Sequence, residues 1–351
     1  MTQVVETRFA RFLVVFLGLV ALAVTGFVLK ELRALVLPLV LALLLSIASR
    51  PLVRVLQRRK IPFPLIVLMI LVAFALAFGL ISYGLVVGVG EVLAAGPDIQ
   101  RGIAATDASV REWILGLAAS LRLPLSAEEL GGLIKLSSVV DVVLSWVGTV
   151  LTITQDLLLT LLYLIFLLSG SPDFAAKVSR AFPEQVATRL TAATRKIELQ
   201  IQNYLRTKTL ISILQGGVAT AVLLAFGVNF AVLFGILTFF FNYIPNIGAL
   251  VAVVAPGVVA ALQFGSLGKA ILVVAILVVL HNAIGNYLEP KMLGASLDLS
   301  PLAVLLSLIF WGWLWGVWGM IISVPLLSIM KIVCENIDEL KPAAVLMGGK
   351  V

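Results

Sequence analysis

Several polar side chains in the apolar part of this sequence stand close to a proline and could bind a ligand. They are Asn242, Tyr243, Asn246, Asn286, Glu289 and Lys291, and Pro245 belongs to the same candidate binding site through its effect on the backbone. Because proline has no backbone N–H, the chain beside it leaves carbonyl oxygens without helical partners. Amides, a hydroxyl, a carboxylate and an ammonium group next to such carbonyls could bind a small polar molecule or a cation. The alternative for Glu289 and Lys291 is a plain turn at the membrane surface with an exposed salt bridge.

Three ionisable side chains in or beside the apolar segments are candidates for binding an ion or carrying a proton: Asp156, His281 and Glu289. Ionisable groups are costly inside a membrane, so each of them is a site hypothesis by default. The competing interpretations are an interfacial position for Asp156 and a hydrogen bond to a neighbouring helix for His281.

Catalytic, metal and nucleotide chemistry find little support in the sequence. Its single cysteine, Cys334, and single histidine exclude internal disulfides, a cysteine-based metal cage and an HExxH site. The Gly-Lys pairs at 268–269 and 349–350 lack the Ser or Thr that follows in a P-loop. We therefore expect no cofactor, no metal site and no catalytic residue. Any transport is expected to be passive or driven by an ion gradient, unless a partner protein supplies ATP.

The composition indicates which elements must position these residues. Of 351 residues, 61% are hydrophobic and 12% are charged, whereas ordinary soluble domains are about 45–50% apolar and about 25% charged. No acid or base occurs between Lys208 and Lys269 or between Asp298 and Lys331. A spanning helix needs about 20 apolar residues. The sequence therefore predicts an all-α polytopic membrane protein, and not a soluble enzyme, a β-barrel or a disordered chain.

The net charge of +7 is better explained by membrane topology than by nucleic-acid binding. Arg50, Arg54, Arg58, Arg59 and Lys60 occur in one short loop without an acid. Basic loops are held on the cytoplasmic side, so this loop and the N-terminus are expected to face the cytoplasm.

Six regions follow from the charge pattern and the apolar runs. They are an N-terminal three-span region (1–90), extracytoplasmic amphipathic helices (91–146), a fourth span (147–169), a cytoplasmic amphipathic helix (170–208), a C-terminal transport core with broken helices (209–335) and a tail (336–351). In the fourth of these regions, Pro183 followed by Glu184 predicts a helix start. That basic helix is expected to lie along the inner face as a connector, or alternatively to gate transport.

The number of spans depends on two segments of the core. Residues 248–264 are interrupted at Pro256-Gly257, which predicts a re-entrant hairpin, eight spans and a cytoplasmic C-terminus. A full crossing would give nine spans and an external C-terminus. Residues 299–333 exceed one span and are expected to form a half-helix, a glycine-rich break and a second helix.

A weak internal repeat relates the two proline-containing groups. Asn242–Ala249 is similar to Asn286–Ala295, and both runs follow an apolar helix. Transporters are often built from inverted repeats with the substrate site at discontinuous helices. Chance similarity between helix ends that contain Pro and Gly is the alternative.

Three runs resemble the signature of the autoinducer-2 exporter (AI-2E) family of bacterial transporters. They are Phe240–Gly248, Gly285–Gly294 and the segment from Ser300-Pro301 to Val324-Pro325-Leu326. The resemblance implies about eight membrane helices, cytoplasmic termini, a location in the bacterial inner membrane and export of the quorum-sensing signal autoinducer-2. It also implies a homo-oligomer, since pentamers are known in the family. Some members are described as sodium/proton antiporters.

Three hypotheses therefore stand. The first is export of a small polar signal, for which Asn242, Asn246, Asn286 and Tyr243 would supply hydrogen bonds. The second is sodium/proton antiport through Asp156 or Glu289. The third is an intramembrane protease in which Ser296 would be the nucleophile and His281 the base.

Overall fold

The chain is described by a computed structural model at residues 18, 20, 24–94, 158–169, 174–293 and 298–349. Every regular element within these ranges is helical. The predicted extracytoplasmic region (91–146) lies almost wholly outside the described residues, as do Asp156 and Ser296.

The described helices follow one another with short connections. They are α1 (Arg33–Arg58), α2 (Phe63–Ala94), α3 (Leu158–Ser169), α4 (Phe174–Ala181), α5 (Glu184–Ala225), α6 (Ala231–Phe241), α7 (Ile247–Phe264), α8 (Leu267–Asn282), α9 (Glu289–Leu293), α10 (Pro301–Trp315), α11 (Val317–Glu335) and α12 (Lys341–Met347). A π-helical segment, Ala283–Leu288, joins α8 to α9, and a 3₁₀ turn, Asp338–Leu340, precedes α12.

The polytopic all-α prediction is confirmed. Six of the described helical runs are long and apolar enough to cross a membrane. On α2, Leu76 and Leu80 are 63% and 71% exposed, which suits side chains that face lipid and not water.

Helix α5 organises the described part of the chain. It begins at Glu184 after Pro183, as predicted, and runs for 42 residues, about 63 Å. That is about twice the thickness of a hydrocarbon core. The predicted boundary between a cytoplasmic helix that ends at 208 and a new element that begins at 209 is wrong, because one helix continues across it. No Gly or Pro occurs between Glu184 and Gln215 to break the helix, and Lys208 is buried within it.

Helices α6 and α7 form a hairpin, which we call hairpin A. Its tip is the turn Asn242–Asn246, and its base is closed by Gln263. The Gln263 side chain accepts from the Asn229 N–H and donates to the Gly227 carbonyl, both at 2.7 Å. Because α6 has only 11 residues, about 16 Å, its length alone falls short of the membrane core.

The predicted break at Pro256-Gly257 is wrong, since α7 is one continuous helix from Ile247 to Phe264. A proline is tolerated in a membrane helix when neighbouring helices cover the freed backbone. Pro256 and Gly257 are buried, and a side chain at Gly257 would collide with Val274 on α8. The chain therefore turns at the hairpin tip and not in the middle of α7.

Helices α10 and α11 form a second hairpin, hairpin B. They are joined at Gly316, whose φ of +66° is strained for residues other than glycine. At the base, the Lys331 Nζ lies 2.8 Å from a carboxylate oxygen of Asp298. The predicted half-helix, glycine-rich break and second helix are confirmed.

The two hairpins point in opposite directions along α5. The base of hairpin A adjoins the C-terminal end of α5, where the Val228 N–H donates to the Leu223 carbonyl at 2.8 Å. At the base of hairpin B, Glu335 pairs with Lys196 in the N-terminal half of α5, at 2.5 Å. The antiparallel arrangement agrees with an inverted relationship between the hairpins.

The local repeat in the sequence has no counterpart in local structure. Asn242 ends α6 at a turn between two helices, whereas Asn286 lies inside the helical run Leu267–Leu293. Asn242 is buried and Asn286 is exposed. The similarity of Asn242–Ala249 to Asn286–Ala295 therefore does not mark equivalent structural positions.

Candidate functional site

A stripe of buried polar side chains on α5 is the centre of the candidate site. We call it the polar stripe, and it comprises Tyr204, Lys208, Ser212 and Gln215, which are 3%, 7%, 0% and 3% exposed. Spacings of four, four and three residues place these side chains on one face of a helix. Since buried polar groups need partners, this face determines which elements pack against α5.

An ion pair joins the stripe to α9. The Lys208 Nζ lies 2.5 Å from a carboxylate oxygen of Glu289, and the side chains are 9% and 16% exposed. Two charges removed from water stabilise each other only when they are closely paired. Glu289 is placed here because it begins α9 directly after the π-helical segment, and such segments are frequent at functional sites.

The tip of hairpin A is bound to α5 by two side-chain hydrogen bonds. The Asn242 amide donates to the Ser212 hydroxyl at 2.9 Å. The hydroxyls of Tyr243 and Thr209 are 2.8 Å apart. The tip therefore lies within one turn of Lys208 along α5.

The backbone of the tip is unusually tight. Asn246 has a φ of +62° and a ψ of −51°, and the Ile247 N–H donates to the Pro245 carbonyl at 2.7 Å, which is the geometry of a rare and strained three-residue γ-turn. A side chain at Gly248 would collide with the Phe241 carbonyl. The sequence Asn-x-Gly at 246–248 thus allows α7 to start directly beside the end of α6.

Gln215 joins the stripe to α8. Its amide donates to the backbone carbonyl of His281 at 3.3 Å. The half-buried His281 and Gln215 line the same small cavity, which has a volume of about 20 Å³. Gly285, in the π-helical segment, lies against the Gln215 amide without steric conflict.

The structure brings together some of the predicted site residues and separates others. Asn242, Tyr243 and Glu289 meet at the stripe, and the His281 carbonyl joins them through Gln215. Asn246 and Lys291 are exposed, and Pro245 is half-buried.

Asn286 is exposed, and its amide donates at 2.8 Å to Asn282 on the same helical run. It therefore lies apart from the hydrogen bonds that join α5 to hairpin A.

Lys208, Ser212 and Gln215 were missed by sequence reasoning, which assigned Lys208 to a cytoplasmic helix. A signal was present. The three residues repeat at helical spacing where the charge-free segment begins. In the described ranges, no group of three or more His, Cys, Asp or Glu side chains is arranged to hold a metal ion. The hydrogen bonds at the tip of hairpin A and the ion pair between Lys208 and Glu289 supply groups that can bind a polar ligand.

Comparison with known proteins identifies relatives of this chain over most of its length. The model of the AI-2E transporter family matches residues 12–339 of the chain. The chain is 32% identical over 335 residues to the AI-2 transport protein TqsA of Escherichia coli, covering 95% of both chains.

Two further proteins similar to this chain are also named as transport proteins. A protein of Haemophilus influenzae that is named provisionally as a transport protein is 30% identical, again over 95% of both chains. A similarly named protein of Borreliella burgdorferi is 40% identical over 197 residues, which is 56% of this chain and about half, 54%, of that relative.

Proposed function

Since this chain belongs to the AI-2E transporter family, we propose that it exports autoinducer-2 or a closely related small polar molecule. TqsA, which aligns with 95% of the chain, is named as an AI-2 transport protein. We also infer a location in the bacterial inner membrane with both termini in the cytoplasm, and assembly as a homo-oligomer, for which the resemblance to the family suggests a pentamer.

The observation that carries the proposal is the buried contact between the tip of hairpin A and the polar stripe. Asn242 and Tyr243 bind Ser212 and Thr209 through neutral hydrogen bonds. The hydroxyl groups of a small polyhydroxylated molecule can take the place of these partners in each hydrogen bond, because a hydroxyl both donates and accepts. The proposed binding site is the space that opens when the tip separates from α5.

The ion pair beside the tip gives this site its charged groups. Lys208 and Glu289 are held 2.5 Å apart, one turn from Ser212. A ligand hydroxyl can accept from the ammonium and donate to the carboxylate, and hydrogen bonds to charged groups are the stronger ones. We infer that Glu289 and Lys208 orient the ligand, while Asn242 and Tyr243 release it by re-forming their bonds to α5.

Sodium/proton antiport is the second candidate function. It is supported by Glu289, a carboxylate largely removed from solvent within a spanning run. In that case Glu289 would exchange a proton for sodium, and Lys208 would be the group that displaces the cation. In inverted vesicles with an acidified lumen, antiport carries protons out in exchange for sodium and predicts sodium-dependent alkalinisation of the lumen in a pH-dye assay. Export of a neutral signal predicts no such response.

Flux measurements in proteoliposomes test the proposal. We expect Glu289→Gln to lower autoinducer-2 flux about 10- to 100-fold, since a hydrogen bond to a charged group contributes about 1.5–3 kcal/mol. Asn286→Ala is the matched control, because Asn286 is exposed and bonds only within its own helical run in the contacts described here. The autoinducer-2 flux of Asn286→Ala should stay within about twofold of the wild-type flux.

Equal flux in wild type and Glu289→Gln at every pH, with equal protein in the vesicles, would contradict the proposed role of Glu289. The absence of autoinducer-2 flux in wild type, with an intact fold, would contradict the proposed substrate.

A further inference from the structure

Two buried oxygens lack hydrogen-bond partners and line one cavity. The Oε1 of Gln215 and the Oγ1 of Thr238 have no partner among the described residues. Both residues are 3% exposed. They line the cavity of about 20 Å³ between α5, α6, α7 and α8. Since buried polar groups in native proteins are almost always paired, two unpaired oxygens at one cavity indicate a bound water molecule or ion.

The orientation of the Gln215 amide is fixed by its other end. Its nitrogen donates to the His281 carbonyl at 3.3 Å, and a carbonyl can only accept. Gln215 therefore has to leave its oxygen, and not its nitrogen, as the unpaired group.

The backbone around the cavity adds further negative character. Pro256 has no N–H, so the carbonyl of Ala252, four residues earlier, lacks its usual helical partner, and Ala252 lines the same cavity. Thr238 lies in the last turn of α6, which ends at Phe241. The C-terminal end of a helix carries a partial negative charge that attracts cations.

The chemistry of these groups selects the ligand. All three are oxygens, and no carboxylate lines the cavity, so a divalent cation that requires carboxylate ligands is disfavoured. The cavity, at about 20 Å³, has room for one ion or molecule of about the size of water. Freed carbonyls and half-helix C-termini are the groups that coordinate sodium in transporters with broken helices.

We propose that Gln215, Thr238 and the Ala252 carbonyl bind one sodium ion in the cavity between α5 and hairpin A. The ion joins α6 and α7 to α5, so its binding favours the closed position of the hairpin. That it couples to transport rests on the proposed export function, whereas the binding itself does not.

The melting temperature of the purified full-length protein in detergent tests the site. It is measured in NaCl, KCl and choline chloride at equal ionic strength. Sodium should raise the melting temperature in a saturable way, because a ligand that binds only the native state stabilises it by mass action. Potassium and choline should leave it unchanged.

Substitutions then locate the site. Gln215→Leu and Thr238→Val remove one oxygen each, and each should weaken the apparent sodium affinity at least tenfold. Thr220→Val is the matched control on α5, since the Thr220 hydroxyl is satisfied by the Gly216 carbonyl of its own helix at 2.9 Å. This control should keep the sodium response of wild type.

Pro256→Ala is an independent test, because it changes the backbone hydrogen bonding at the site without removing a polar side chain. Alanine restores the N–H that pairs with the Ala252 carbonyl, so the protein should fold at least as well while its sodium affinity falls. Equal melting temperatures in all three salts would indicate a bound water and overturn the proposal. So would a sodium response that survives unchanged in Gln215→Leu, Thr238→Val and Pro256→Ala.

The sodium dependence of flux tests the coupling separately. Autoinducer-2 flux that is the same with and without a sodium gradient would overturn the coupling but not the site. If no autoinducer-2 flux is found, the melting experiment still decides whether the sodium site exists.

Discussion

Lys208 shows how a charge is accommodated inside an otherwise apolar helix. Its side chain is 9% exposed, and it is neutralised by a carboxylate that lies 81 residues later in the chain. The hydrogen bonds of Ser212 and Thr209 to the tip of hairpin A lie within one turn of it. Such a pair is weak evidence for stability in itself, because desolvation offsets most of the attraction. Its position at the meeting point of α5, α9 and hairpin A suggests a role in function.

The ion pair predicts an asymmetry between single and double substitutions. Lys208→Met leaves Glu289 buried without a partner and should destabilise the protein by roughly 3–5 kcal/mol, since an unpaired buried charge keeps its desolvation penalty. The double variant Lys208→Met/Glu289→Gln removes both charges and should regain most of that loss. Thermal unfolding in detergent measures both effects.

Lys291→Met is the control for that experiment, because Lys291 lies on α9 beside Glu289 but is exposed. Its melting temperature should match wild type. A double variant no more stable than Lys208→Met would show that the two charges do not compensate each other.

Close helix packing at α5 and α6 depends on small residues at one crossing point. A Cβ built on Gly216 would lie 2.6 Å from the Gly235 carbonyl oxygen, and one built on Gly235 would collide with Thr220. Small residues let membrane helices approach this closely. The position of hairpin A against the polar stripe therefore depends on this crossing as well as on its hydrogen bonds.

Neighbouring glycines on α5 provide a matched pair of substitutions. Gly216→Ala should separate α5 from α6 and lower the melting temperature, because overpacking costs roughly 1–3 kcal/mol. A Cβ at Gly217 meets nothing within 4 Å. Gly217→Ala should therefore be neutral or stabilise the helix by up to about 1 kcal/mol through helix propensity. Equal effects of the two substitutions would mean that the crossing does not limit stability.

The orientation of the whole molecule can be tested through its single cysteine. Cys334 is half-buried and precedes Glu335, which pairs with Lys196 near the basic part of α5. Basic segments are held in the cytoplasm. A membrane-impermeant maleimide should therefore leave Cys334 unlabelled in intact cells and label it in inverted vesicles.

A cysteine introduced near the base of hairpin A, at the C-terminal end of α5, provides the matched control. Lys269, near the start of α8, is exposed and follows the base of hairpin A. Because the two hairpins point in opposite directions along α5, Lys269→Cys in a Cys334→Ser background should be labelled in intact cells. Labelling of both positions from the same side would contradict the opposed arrangement of the hairpins in the membrane.

The sequence by itself determined the class of fold and much of its local structure. Long apolar runs predicted a polytopic helical protein, Pro183-Glu184 predicted the start of α5, and the glycines after Trp311 predicted a break that the structure has at Gly316. These features follow from local causes, because hydrophobicity, proline and glycine act on the residues next to them.

The tertiary structure alone decided which polar residues form a site. Hydrophobicity did not reveal that α5 continues past Lys208, because a buried charge is tolerated only when a distant partner such as Glu289 neutralises it. Likewise, Asn242 and Asn286 have similar neighbours in sequence, yet only Asn242 faces Ser212. The physical reason is that sequence periodicity defines the faces of a helix, while packing between helices decides which face meets a partner.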